Sequence, residues 1–201
     1  MPHALSATAA PARSPWLYAL FGVLIVAAIA CALAAMGRSL ICPCGTIELW
    51  HGAANDSGTS QHLSDWYSLS HLIHGFLFYG AAVLVFRRLG RPLPFAQALL
   101  VALAFEGFWE LLENSPLIID RYRETTVSDS YIGDSVLNSV SDIGFMALGF
   151  FLARVSPTAL VVTAAIAMEL LALAVIRDNL TLNVLMIVHP SDAIKAWQAA
   201  R

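Results

Sequence analysis

Five stretches of the chain, near 16–36, 68–86, 93–112, 134–153 and 157–176, each come close to the ~20 predominantly apolar residues a helix needs to cross a bilayer. They predict an all-α fold, a polytopic transmembrane helix bundle of about five spans. The balance of residues agrees: 58% are hydrophobic and 12% charged, against roughly 45–50% and 25% in a soluble globular domain. The first run exceeds the ~7–15-residue core of a cleavable signal peptide and is read as an anchor. Ahead of it, residues 1–15 hold small residues and prolines without an apolar pattern, which predicts a disordered tail. No Gly/Ser/Pro-rich break divides the remainder of the chain, so 16–201 reads as one integral-membrane domain. A polar, aromatic loop is expected from Leu117 to Gly133. Leu180 to Val188 is apolar but too short to span, so the C-terminal segment 180–201 is placed at the interface, its first part interfacial or re-entrant and its last part a short surface helix.

Orientation follows from arginines in short loops. Arg87, Arg88 and Arg91 give the connection between the second and third spans the strongest positive charge in the chain, and such loops stay cytoplasmic. The N-terminus is then inside and the C-terminus outside. Arg121 and Arg123 oppose this, but they share their loop with Asp120, Glu124 and Asp129. A net charge of −3 without a basic stripe argues against nucleic acid as a partner. Membrane lipid is the expected one.

Against this apolar background the third span carries Glu106, Glu110 and Glu113. At roughly 100° per residue they fall within an arc of about 60°, forming one carboxylate stripe. An ionised carboxylate in hydrocarbon costs about 2.5–3.5 kcal/mol on insertion scales, so such residues face a partner, a cavity or an ion. The second span carries His71 and His74 on one face, with His62 and Asp65 in the loop just before it. The fourth places Asp134, Asn138, Ser141 and Asp142 within about 100° of arc. At ~1.5 Å per residue, His71, Glu110 and Asn138 lie roughly 5–6 Å below the outer boundary, and His74, Glu106 and Asp142 roughly 9–12 Å below it. Three helices thus bring polar groups to matching depth.

Imidazole nitrogen with carboxylate oxygen is a ligand set for a divalent metal such as zinc, iron or manganese, and helical bundles build metal sites by inward projection of these groups. His71, His74, Glu106, Glu110 and Asp142 are the candidate metal ligands. His62, Asp65, Glu106, Glu110 and Asn138 are the candidate catalytic groups, with His62 and Asp65 at the mouth. His-Glu-x-x-His does not occur and no span carries Glu-x-x-His, whose one instance is Glu48 to His51 in the loop ahead of the second span, so the argument rests on co-location. The same residues also suit a polar plug, in which Arg121, Arg123 and Arg177 pair with the outermost acids while the histidines bond serines and carbonyls. Glu113 and Asp134 sit near enough to the boundary to be solvated or capping residues, Asp134 as a cap of the fourth span. Glu169 is either a bundle member or an arginine's partner. Cys42-Pro43-Cys44 suits a soft-metal handle, a redox pair or a structural element in an oxidising compartment, and Cys31 a small apolar filler.

Cys42-Pro43-Cys44-Gly45, Gln61-His62-Leu63-Ser64-Asp65-Trp66-Tyr67-Ser68 with Ser70-His71-Leu72-Ile73-His74-Gly75, the run from Glu106 to Pro116, and Gly133-Asp134-Ser135-Val136-Leu137-Asn138-Ser139 together resemble a family of bacterial multi-pass inner-membrane proteins of unknown function. The resemblance extends from about residue 16 to the C-terminus. It implies a bacterial cell-membrane location and carries no assigned activity.

The leading expectation is a metal-dependent enzyme acting on a lipid or lipid-linked substrate at the periplasmic face. The alternatives are a cation carrier or metal chaperone, and a structural subunit with a polar packing core. A carrier needs polar residues continuing to the opposite face. The stretches 76–86, 95–105 and 143–153 offer only Tyr79 and Gln97 as appreciably polar side chains, which disfavours a path.

Overall fold

A computed structural model describes residues 14–200. The predicted disordered tail falls largely outside the described residues, and Pro15 already opens the first helix. The regular elements of the described residues are all helices: α1 (Pro15–Ala35), α2 (Ser68–Arg88), α3 (Phe95–Glu113), α4 (Pro116–Thr125), α5 (Val136–Val155), α6 (Thr158–Ile176), α7 (Leu180–Val188) and α8 (Asp192–Ala199). Five of these, α1, α2, α3, α5 and α6, are long and apolar enough to cross a membrane. Helices are the local solution there because each satisfies its own backbone donors and acceptors without water.

The expected loop from Leu117 to Gly133 is a helix over its first half, which corrects the sequence reading. Ser115 adopts extended backbone angles, Pro116 occupies the first turn where its missing N–H is no loss, and α4 begins there. Its apolar face is Ile118, Ile119 and Tyr122, with Thr125 one turn on; all four are buried. That spacing of one, four and seven is a helical signature, masked in the sequence by charged residues at 120, 121, 123 and 124.

The central contact of the bundle is between α2 and α5, and it is backbone against backbone. A Cβ placed on Gly75 would lie 2.1 Å from the Met146 carbonyl oxygen, and one on Gly149 would lie 2.1 Å from that of Leu72. Two glycines facing each other are what permit this approach, the small-residue mode by which membrane helices pack. Next to this contact, Ala98, Ala102 and Leu103 of α3 join Ile143, Met146 and Phe150 of α5 in the buried apolar core. Helix α1 lies outside, against Gly107 of α3, where a Cβ would meet Ile29 at 2.7 Å.

At one end of the bundle the loop 36–67 folds over the start of α5 and supplies its first N–H groups with partners. Ser60, Ser39 and Leu40 carbonyls accept from the amides of Ser135, Val136 and Leu137. The Ser135 hydroxyl accepts from the Asn138 amide, so Ser135 caps α5 and Asp134 is free for another role. Glycine is required at residue 133, where φ is +87° and a Cβ would lie 2.3 Å from Arg38 Nη1.

Candidate metal centre

Three helices meet beneath this loop. From α2 come His71 and His74, one turn apart; from α3 come Glu106 and Glu110; from α5 comes Asp142. The Gly75–Gly149 approach sets how close α2 stands to α5, one turn from His71 on one helix and two turns from Asp142 on the other. The Glu106 carboxylate receives both imidazoles: His71 Nδ1 stands 2.6 Å from its Oε1, and His74 Nδ1 stands 3.0 and 3.2 Å from its two oxygens. Glu110 Oε1 lies 3.5 Å from the same His71 nitrogen. Among the described residues, every ion pair to Glu106 or Glu110 comes from a histidine and none from an arginine.

The two glutamates differ in one respect. Both are fully buried. Glu106 is satisfied by imidazoles, whereas neither carboxylate oxygen of Glu110 has a hydrogen-bond partner. A buried carboxylate without a donor carries a desolvation cost of several kcal/mol, on the order of what a broken buried ion pair loses. Nothing on α3 forces this, since 106 and 110 share a helix face by spacing alone.

Asp142 takes the other side of the His71 ring. Its Oδ2 is 3.8 Å from Nε2, while its Oδ1 accepts from the Ser68 hydroxyl at 2.9 Å. Ser68 in turn accepts from the Asp65 amide. Asp142 therefore faces the Nε2 side of the imidazole from beyond hydrogen-bond reach, with the opposite nitrogen directed at the glutamates.

The remaining sequence candidates hold the loop. Asp65 accepts from the Ser60 and Tyr67 amides at 2.8 Å each and so fixes the turn into α2; burial pushes its carboxyl up, against the pull of those donors. Asn138 donates to the His62 carbonyl at 2.9 Å. The His62 ring stacks on His51 and accepts from the Glu48 amide. These three lie beside the imidazole–carboxylate cluster, not inside it. Cys42 and Cys44 are joined in a disulfide in this same loop, and Cys31 is exposed on α1. Glu169 pairs with no arginine among the described residues: it accepts from the Leu180 and Thr181 amides and the Thr181 hydroxyl, capping the N-terminus of α7. Arg121 and Arg177 direct their guanidinium groups to backbone carbonyls, and Arg123 stands 3.8 Å from Asp120, so no arginine plugs the cluster among the described residues.

Several residues that shape the site are not evident from sequence. Asn114 donates to Asp134 at 2.9 Å and receives the Asp134 amide at 2.7 Å, tying the end of α3 to the start of α5. Tyr131 donates to Asp134 at 2.8 Å; burial raises the Asp134 carboxyl despite both donors. Tyr122 reaches Glu113 at 3.3 Å and also contacts Asn183 of α7. Asn114 ends the acid stripe, four residues after Glu110, and that spacing is the available clue. Tyr122 becomes legible only once α4 is recognised as a helix.

Two openings converge here. A cavity of about 40 Å³ runs from Asn55 and Asp56 past Tyr131 and Asp134 to His71 and Asp142. A groove of about 250 Å³ between α2, α3 and α7 is lined by His71, His74 and Glu106 together with apolar Phe78, Val184 and Ile187.

Over residues 33–200 the chain matches a family described as protein of unknown function (DUF2585). It belongs to that family. Its relatives include the UPF0314 protein of Rhizobium etli, 57% identical over 183 residues that make up 91% of each chain. A UPF0314 protein of Novosphingobium aromaticivorans is 55% identical over 181 residues, 90% of each chain. That of Agrobacterium fabrum is 54% identical over 168 residues, 84% of this chain and 83% of its own. No solved structure matches. The DUF2585 match takes in the loop 36–67 and all the helices that build the cluster.

Proposed function

We propose that this DUF2585 protein is a metal-dependent hydrolase of the bacterial inner membrane, acting on a lipid or lipid-linked substrate at the periplasmic face, with the N-terminus inside. The observation that carries the reading is the donor-free carboxylate of Glu110 beside a His–His–Glu triplet. Ligand atoms of His71, His74 and Glu106 all lie within 4.8 Å of one another. A cation about 2.0–2.2 Å from each would hold them roughly 3–3.5 Å apart; the His74–Glu106 spacings of 3.0 and 3.2 Å already meet this, and the His71–Glu106 spacing of 2.6 Å would have to open. Three protein ligands and a water is the pattern of a catalytic zinc site, and such a water is acidified to a pKa of about 7.

His71, His74 and Glu106 would hold the metal, which when bound would supply an acidified water. In this assignment Glu110 would be the base: its donor-free carboxylate would take the proton of the attacking water as that oxygen adds to the electrophilic carbon or phosphorus of the substrate, and would return it to the leaving oxygen. Asp142, anchored by the Ser68 hydroxyl, faces the other nitrogen of His71. The apolar halves of α3 and α5, packed as Ala98, Ala102, Ile143, Met146 and Phe150, favour a closed site over the path a cation carrier needs.

The test is elemental analysis of purified wild type and Glu106→Gln. Wild type is expected to hold zinc, iron or manganese near one per chain. Glu106→Gln is expected to lose it while melting within a few degrees, because the amide keeps the shape and relieves repulsion with Glu110. Equal metal content in the two proteins overturns the ligand role of Glu106.

A further inference from the structure

The groove between α2, α3 and α7 changes character from its buried wall to its exposed rim. His71 and Glu106 are buried in its wall, while apolar Phe78, Leu180, Val184 and Ile187 also line it and Val184 is 51% exposed. Leu180, Val184 and Ile187 recur at four and three residues and so form one stripe of α7 facing the groove. His74 is the member of the triplet that remains open, its side chain 17% exposed while Glu106 is completely enclosed. An opening that passes from imidazole and carboxylate to aliphatic and aromatic side chains suits an amphiphile, head inward and tail outward.

The placement of α7 says where that tail comes from. Its first amides are held by Glu169, seven residues before the end of α6, so α7 does not ride beyond α6 but begins alongside it. At 1.5 Å per residue that is roughly 10 Å inside the end of a membrane-spanning helix. With α6 spanning, the start of α7 then stands at hydrocarbon depth, and the exposed Val184 one turn on opens the groove at the outside of the bundle. A second opening reaches His71 and Asp142 from Asn55 and Asp56, and its 40 Å³ leaves room for about three waters. The two share Tyr67, His71, Glu113, Tyr122 and Asn183 in their walls, with Tyr122 hydrogen-bonded to both Glu113 and Asn183.

We infer that the groove is a lateral port through which an ester-linked acyl lipid of the outer leaflet reaches the site from within the bilayer, while water reaches it through the loop-side cavity. This rests on the hydrolase reading for what happens at the buried wall, but not for occupancy of the port. Helix α7 is the wall that separates the acyl chain from the loops, and Val184 and Ile187 are the residues the chain touches.

The experiment places the full-length protein in nanodiscs of phosphatidylethanolamine and phosphatidylglycerol, doped with a phosphatidylethanolamine carrying a diazirine on one acyl chain. After photolysis, crosslinks are mapped by mass spectrometry and metal is measured on the same sample. Crosslinks are expected to concentrate on Phe78, Trp109, Val184 and Ile187. They are expected to be lost there in Val184→Trp and, independently, in Ile187→Trp, with metal content unchanged and with labelling of the exposed α6 residues Leu160 and Leu170 retained. Labelling of the groove no stronger than that of Leu160 and Leu170 overturns the port, because the groove is then ordinary annular surface. Labelling of the groove that survives both tryptophans overturns it as well. Wild-type protein without metal but with groove crosslinks removes the hydrolase reading and leaves the port standing.

Discussion

Replacing Gly75 with alanine is a direct probe of how the site is assembled. The added Cβ would sit 2.1 Å from the Met146 carbonyl oxygen, 2.5 Å from the Phe150 nitrogen and 2.8 Å from the Gly149 carbonyl carbon. All three are backbone atoms, so no side chain can rotate away. Ordinary contact begins near 3.4 Å, so α2 and α5 must part locally by roughly 1.3 Å. Overpacking of this kind costs typically 1–3 kcal/mol. At roughly 2–4 °C per kcal/mol for a chain of this size, the melting temperature in detergent should fall by about 2–12 °C. Gly80 supplies the matched control, since it lies on the same helix with nothing within 4 Å of its Cβ. There alanine removes only the entropic cost of glycine, and stability should rise by about 0.5–1 kcal/mol. The separation at Gly75 also draws His71 away from Asp142, already 3.8 Å off, so metal content should drop in Gly75→Ala and stay level in Gly80→Ala. Equal melting of the two variants, or a lower value for Gly80→Ala, refutes the argument that the glycine pair sets the helix distance.

Glu110→Gln should leave metal content intact but abolish hydrolysis, and without metal it should melt no lower than wild type, because it removes a buried charge that has no donor; loss of metal from this variant would make Glu110 a ligand and not the base. Burial works to lower the His51 pKa, but hydrogen bonds to Glu48 and Asp56, at 2.8 and 2.9 Å, and their charge raise it overall. The loop's stabilisation by this triad is then fully present below pH 6.5 and lost as pH rises through the raised value, so limited proteolysis within 48–62 should accelerate at alkaline pH and the response should flatten in His51→Gln. Replacing Cys42 and Cys44 together by serine should leave the bundle's melting nearly unchanged, since a bridge across two positions closes a very short loop and constrains the unfolded chain little; a fall of many degrees would make the pair a structural staple.

The membrane-crossing architecture is legible in the sequence because hydrophobic runs of span length leave few alternatives, and the five long helices begin and end within a few residues of the expected limits. The carboxylate stripe is legible for the same reason: helical phase is fixed, so Glu106 and Glu110 have to share a face. What the spacing does not carry is which neighbour that face meets. His71 and His74 fall at matching depth by residue count, but their approach to Glu106 depends on the Gly75–Gly149 contact, and a glycine in a membrane helix has no unique meaning until its partner is known. Equally, depth groups Asp142 with the ligands, whereas its side of the His71 ring is a matter of rotamer and of the Ser68 hydroxyl, neither of which is written in periodicity. His62, Asp65 and Asn138 illustrate the converse. They are polar, close in sequence to the site, and occupied by the backbone of the loop that covers it.

The charge balance of the enclosed cluster gives the strongest reason for expecting a cation. Glu106 and Glu110 stand on the same imidazole nitrogen, at 2.6 and 3.5 Å, and that nitrogen can give its single proton to only one of them. Glu106 is the nearer and also takes His74, so Glu110 is left without a donor by stoichiometry and not by misplacement. Adding an arginine would remedy this, yet the described arginines close to this end of the bundle are bound to carbonyls or to Asp120. Protonating Glu110 would remove the charge but would leave a hydroxyl to be satisfied in the same enclosure. A divalent cation held by His71, His74 and Glu106 would resolve both difficulties, since it would supply positive charge beside Glu110 without calling on the contested proton.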